Sequence, residues 1–130
     1  MNIENQNGTL QSLLLKVQEQ NNRSADFLAS TGNLQKHTND EGKPQLVIEA
    51  TGGEPTRILD VNDHAFGQIA QNVDIDTRTA RRLQNEVPKE FDAVTNALFQ
   101  KNPTNRMVRT FLDESETTGT VRAFVSDKFK

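Results

Sequence analysis

The residues best suited to chemistry lie in the last quarter of the chain. MVRTFL (Met107 to Leu112) and TVRAFVSDKF (Thr120 to Phe129) read as two strands joined by the polar loop DESETTG. Side chains of a strand alternate between its two faces. If Val108, Thr110 and Leu112 share a core face with Val121, Ala123 and Val125, the opposite face carries Arg109, Phe111, Arg122, Phe124 and Lys128. Cations interleaved with rings suit single-stranded nucleic acid, because rings stack bases and cations follow phosphates. Stacking contributes about 1–3 kcal/mol per base. The same letters also fit a sheet covered on both faces, with both phenylalanines under a second layer and the arginines snorkelling past them.

A second cationic series lies on a helical segment. In QIAQNVDIDTRTARRL (Gln68 to Leu83), the apolar positions Ile69, Val73, Ile75, Ala80 and Leu83 have the spacing of two short helices that cross. A helix-turn-helix of this kind would present Arg78, Arg81 and Arg82, with Thr77 and Thr79, to phosphates or base edges. The turn position where glycine is usual holds Asp74. Two packed helices with a solvated arginine face satisfy the same pattern.

Signals for catalysis are sparse. With no cysteine, a disulfide framework, a thiolate nucleophile and a cysteine zinc site are all excluded. His37 stands in a polar stretch, and His64 follows Asp63 at a helix start, without the partners of a zinc motif. Asp74 and Asp76 lack further ligands at calcium-loop spacing, and Asp76 reads as a helix cap. Gly52-Gly53 lacks the Gly-Lys-Ser/Thr ending of a phosphate loop and reads as a turn. The expectation is a protein that is not an enzyme and holds neither metal nor cofactor.

The elements that must position these residues imply an α+β fold. Residues 1–8 form a flexible polar tail, and residues 9–130 one domain. Thr9 precedes Leu10, Leu13, Leu14 and Val17, the apolar face of an amphipathic N-terminal helix. Ser24 to Leu28 reads as a short helix anchored by Phe27 and Leu28, and residues 30–44 as loop. QLVIEA (Gln45 to Ala50) and TRILDV (Thr56 to Val61) form a hairpin around TGGEP. Asn62 caps a helix from Asp63 to Asn72, Asp76 caps one from Thr77 to Glu86, and Pro88 opens a third that closes at Asn102-Pro103. The pattern predicts two hairpins building an antiparallel sheet, with two to three helices between them.

Composition bounds the rest. Of 130 residues, 33% are hydrophobic, which implies a thin core and sizeable polar loops. No apolar run is long enough to cross a membrane. Net charge is −3, yet ten of the fifteen cations lie beyond residue 65, so an acidic half is joined to a basic, phenylalanine-bearing one.

The stretches DHAFGQIAQNVDI (Asp63 to Ile75), MVRTF (Met107 to Phe111) and VRAFVSDKF (Val121 to Phe129) resemble a phage and plasmid-like protein family of unknown function. The resemblance spans roughly residues 45–130. It implies a mobile-element origin and a helix pair followed by a VRT-type and a VRAF-type strand, and it supplies no catalytic residues. Members of that family continue past the position of Lys130, which would leave a sheet edge here for oligomerisation.

Taken together, these features point to a phage-type DNA-binding accessory of transcription or replication. It would act on single strands in the host cytoplasm as a homo-oligomer, in reach of a phage RNA or DNA polymerase. Arg109, Arg122, Lys128, Arg78, Arg81 and Arg82 would meet phosphates, and Phe111 and Phe124 would stack bases. Two alternatives stand beside it. One is a helix-turn-helix duplex binder. The other is a protein-binding module, a host-defence inhibitor or polymerase adaptor, acting through the acidic first half and the Leu10–Val17 helix.

Overall fold

A computed structural model describes residues 23–50 and 52–126. In chain order these form β1 (Ser24–Ser30), a 3-10 turn (Thr31–Asn33), β2 (Leu34–Thr38), β3 (Pro44–Ile48), β4 (Arg57–Val61), α1 (Asp63–Asn72), α2 (Thr77–Glu86), α3 (Pro88–Lys101), β5 (Asn105–Leu112) and β6 (Thr118–Ser126). The α+β class is as expected, but the sheet is not. It is one mixed six-stranded sheet in the order β1-β5-β6-β4-β3-β2. The β3–β4 and β5–β6 pairs are antiparallel, whereas β4 and β6 run parallel and fuse the two hairpins. Parallel neighbours need a long crossover, and α1, α2, α3 and β5 supply it.

Two further expectations are corrected. Ser24 to Leu28 is not a helix but most of β1, which turns Phe27 inward and leaves Leu28 57% exposed. The stretch 30–44 is not all loop, since it contains β2, whose Leu34 and Lys36 alternate into the core. The expected Leu10–Val17 helix and the tail before it lie outside the described residues.

The chain between β1 and β2 fixes the curvature of the sheet. These strands are its two edges, yet only the three-residue turn separates them. Four Cα steps reach at most about 14 Å. A flat sheet of six strands would hold its edges about 24 Å apart. The sheet must therefore curl, and Arg57 of β4 accordingly lies 4.6 Å from the ring centroid of Phe27 on β1, three strands away. Buried Thr31 pins the corner: its N–H donates to the Thr104 carbonyl (2.9 Å) and its hydroxyl to the Phe99 carbonyl (3.0 Å).

The helices fill the inner face. Asn62 caps α1 by accepting from the Ala65 N–H at 2.8 Å, and Asp76 caps α2 by accepting from the Thr79 N–H at 2.9 Å. Pro88 opens α3, where its missing N–H costs no hydrogen bond. Between α1 and α2, Asp74 takes a φ of 60°, the left-handed turn conformation that glycine usually provides. One apolar cluster (Leu34, Leu46, Leu59, Val108, Val121, Phe99, Phe124) seals helices to sheet, and a second (Phe66, Ala70, Ala80, Phe91) joins the helices to one another.

Candidate nucleic-acid interface

The cation and aromatic row of the last hairpin divides at a bulge. Arg109 pairs with Ala123 and Thr110 with Val121, so Arg122 has no opposite residue. One unpaired residue shifts the alternation by one, and everything beyond it changes face. Val121 and Phe124 therefore both point inward. Phe124 is 2% exposed and stacks on Phe99, with ring centroids 6.2 Å apart. Its backbone N–H donates to Gln68 Oε1 of α1 at 2.7 Å. Phe124 is thus a core residue, which removes it from the base-stacking set. A strict alternation rule cannot register a bulge.

The outer face keeps Arg109, Phe111 and Arg122. The Arg122 guanidinium lies 4.0 Å from the centre of the Phe111 ring, which is 37% exposed. Such a pair is held by the ring quadrupole and by contact of two flat groups. The Nε of Arg122 is buried without a hydrogen-bond partner among the described residues. Arg109 is exposed opposite Asp26 of β1 and forms no ion pair among the described residues. Lys128 lies outside the described residues.

Around Phe111 the register builds a row across all six strands: His37, Gln45, Asp60, Thr120, Phe111 and Ser24. A groove of 460 Å³ runs over β6, with Ile58 and Asp60 of β4 on one side and Phe111 on the other. Gly119, at φ 157°, allows the strands to meet there, because a Cβ would lie 2.1 Å from the Phe111 carbonyl oxygen. Ile58 is 46% exposed although it belongs to an apolar run, and it marks a wall of the groove. Its role, with those of Gln45, Asp60 and Thr120, depends on the β4–β6 parallel pair and was not legible from local spacing.

The helix arginines do not extend this face. They stand on α2, which packs on α1 and α3 at the inner side of the sheet. Arg78 is exposed, Arg81 meets Asp63 at 3.3 Å and lies over Phe66, and Arg82 is tied to Glu86 at 2.6 Å. The α1–α2 pair does share a small apolar core, as a helix-turn-helix requires, but two of its three arginines are engaged by carboxylates. A cleft of 410 Å³ beside Arg81 carries the mixed charges of Lys43, Asp60 and Asp63.

One buried ionisable group was also missed. Lys36 of β2 is 3% exposed, ion-paired with Asp92, hydrogen-bonded to Gln84 Oε1 at 2.5 Å and placed 4.6 Å from the Phe91 ring centre. Burial lowers its pKa below 10.5, and the hydrogen bond and charge of Asp92 work against that shift. Its donors are spent inside the fold, so it holds α2 and α3 to β2 rather than facing a ligand. Among the described residues no three His, Cys, Asp or Glu side chains form a metal-binding group, and no helix is long and apolar enough to cross a membrane.

Scans against protein-family models, curated proteins and solved structures match nothing to this chain, so the likeness to a phage and plasmid-like family rests on its quoted stretches alone.

Proposed function

We propose that the protein binds single-stranded nucleic acid on the outer face of its curled sheet, without catalysing a reaction. The observation that carries this reading is the Arg122 guanidinium over half-exposed Phe111, with exposed Arg109, which forms no ion pair among the described residues, on the same face. Phe111 stacks a base, and Arg109 and Arg122 supply two phosphate contacts. Asp26 and Asp60 on the same face lower its potential, so affinity is modest. An accessory role beside a phage polymerase, in the host cytoplasm, belongs to the same proposal. So does self-association through β1 and β2, which among the described residues each pair along one edge only.

Fluorescence anisotropy of a labelled mixed-sequence single strand tests this. Binding at about 50 mM salt should weaken with a log–log slope near −1.4 for two phosphate contacts. Phe111→Ala should weaken it about five- to 150-fold, the equivalent of one stacked base. Absence of binding refutes the proposal. A preference for duplex that disappears in Arg78→Ala would move the site to α2.

A second reading is favoured by a separate observation. Leu28, Met107 and Val125 are register partners on β1, β5 and β6, and they form an apolar row on the same outer face. With Leu28 57% exposed, that row suits a protein partner. It predicts no oligonucleotide binding and a loss of partner binding in Leu28→Asp.

A further inference from the structure

We infer that the groove beside Phe111 selects bases that carry an exocyclic amino group over thymine or uracil, an inference that rests on the proposed binding of single strands. Asp60, Thr120 and Phe111 are successive register partners on β4, β6 and β5. Asp60 and Phe111 thus stand two strand spacings apart, about 9–10 Å. A base stacked at Phe111 with its edge turned over β6 meets Thr120 and then Asp60. On the far side, Gln45 donates its Nε2–H to Asp60 Oδ1 at 3.0 Å. That bond orients the carboxylate and leaves Asp60 Oδ2 and Gln45 Oε1 as acceptors beside the groove.

A carboxylate accepts hydrogen bonds and cannot give them. It therefore matches a base edge that offers an amino group, such as N4 of cytosine, and opposes the O4 acceptor that thymine presents at the same place. The other acid of the groove, Asp113, accepts from the Thr118 hydroxyl at 2.6 Å and lies past the end of β5, so Asp60 is the carboxylate in register with Thr120 and Phe111. Arg109 on β5 and Arg122 on β6 both lie two residues along their strands from the Asp60–Thr120–Phe111 row, at one end of it, where the phosphates would run. Base reading then runs across the strands, and backbone holding lies beside it along them.

The test compares labelled oligodeoxycytidine and oligothymidine of equal length, at neutral pH and about 50 mM salt, by anisotropy. Two pyrimidines of similar stacking area differ chiefly in the edge they show. The inference predicts that the cytidine strand binds about fivefold tighter or better, the lower range for one base contact. Asp60→Asn, at an exposed position, should bring the two strands within about twofold of each other, because the amide offers a donor as well as an acceptor. A circular-dichroism melt that matches the parent confirms that this variant is folded. Equal affinity of the parent for both strands, or a thymidine preference, overturns the base selection and leaves strand binding intact. A preference unchanged in folded Asp60→Asn overturns the assignment to Asp60. Binding of neither strand overturns strand binding itself.

Discussion

The bulge at Arg122 makes a prediction that separates the two phenylalanines of the last hairpin. Phe124 lies within the core at 2% exposure, stacked on Phe99 and beside the α1 residue Gln68. Truncating a buried phenylalanine to alanine removes its transfer energy and leaves a cavity, costing about 3–5 kcal/mol. Against a typical total stability of about 5–15 kcal/mol this is a large loss. For a domain of about 100 residues it corresponds to a drop in Tm of at least about 12 °C. Phe111 is 37% exposed, and its ring contacts Arg122 rather than the apolar core. Its truncation should cost less than about 1.5 kcal/mol, because little transfer energy and only a cation–ring contact are lost. The assay is urea unfolding of the parent, Phe124→Ala and Phe111→Ala, followed by circular dichroism, with oligonucleotide binding measured on the folded proteins. The structure predicts that Phe124→Ala fails in stability and Phe111→Ala in binding. If Phe124→Ala keeps parental stability and loses binding, the bulged register is wrong and the uninterrupted alternation is restored.

Four further outcomes follow from the same structure. Asp92→Ala strands the buried Lys36 cation and should cost about 3–5 kcal/mol in urea unfolding. Lys36 itself titrates below 10.5 in the folded chain because burial penalises its charge. Between that folded value and 10.5 the unfolded chain binds the extra proton, so stability rises with pH there, and Lys36→Met should abolish the rise. The Asp76 carboxyl is held below its ordinary 3.8 by the Thr79 N–H first and the Thr79 hydroxyl second. Its contribution is present above 3.8 and lost as pH falls through the depressed value, so Asp76→Ala should lower Tm near neutrality and match the parent in strong acid. Gly119→Ala should cost about 1–3 kcal/mol in thermal unfolding, because a Cβ would collide with the Phe111 carbonyl at a φ that side chains avoid.

The parts of this fold written in local chemistry were legible in the sequence. Asn62, Asp76 and Pro88 mark helix starts through a side-chain acceptor or a missing N–H, and all three helices begin where those residues direct. The glycines of TGGEP likewise announced the β3–β4 turn, where Gly52 and Gly53 both take positive φ. Non-local decisions were not legible. The parallel β4–β6 ladder joins segments nearly sixty residues apart, and no local spacing encodes it. Strand β2 was hidden because Lys36 resembles a surface residue until Asp92, Gln84 and Phe91 surround it. In the same way, Phe27-Leu28 looked like one helical anchor, whereas a strand sends the two side chains to opposite faces. At the site, Arg109, Phe111 and Arg122 share the outer face, while one inserted residue carried Phe124 to the core. Local alternation fails at a bulge for a physical reason, since ladder pairing decides which residue is left out.

The proposed function places a single nucleic-acid strand on the outer sheet face and not on α2. Amide chemical-shift mapping on the labelled protein, titrated with an unlabelled single strand, tests it most directly. Shifts should centre on Arg109, Phe111, Thr120 and Arg122, spread to Asp60 and leave Arg78 and Arg82 unmoved. Shifts confined to α2, or no shifts at concentrations that saturate a modest binder, would contradict it.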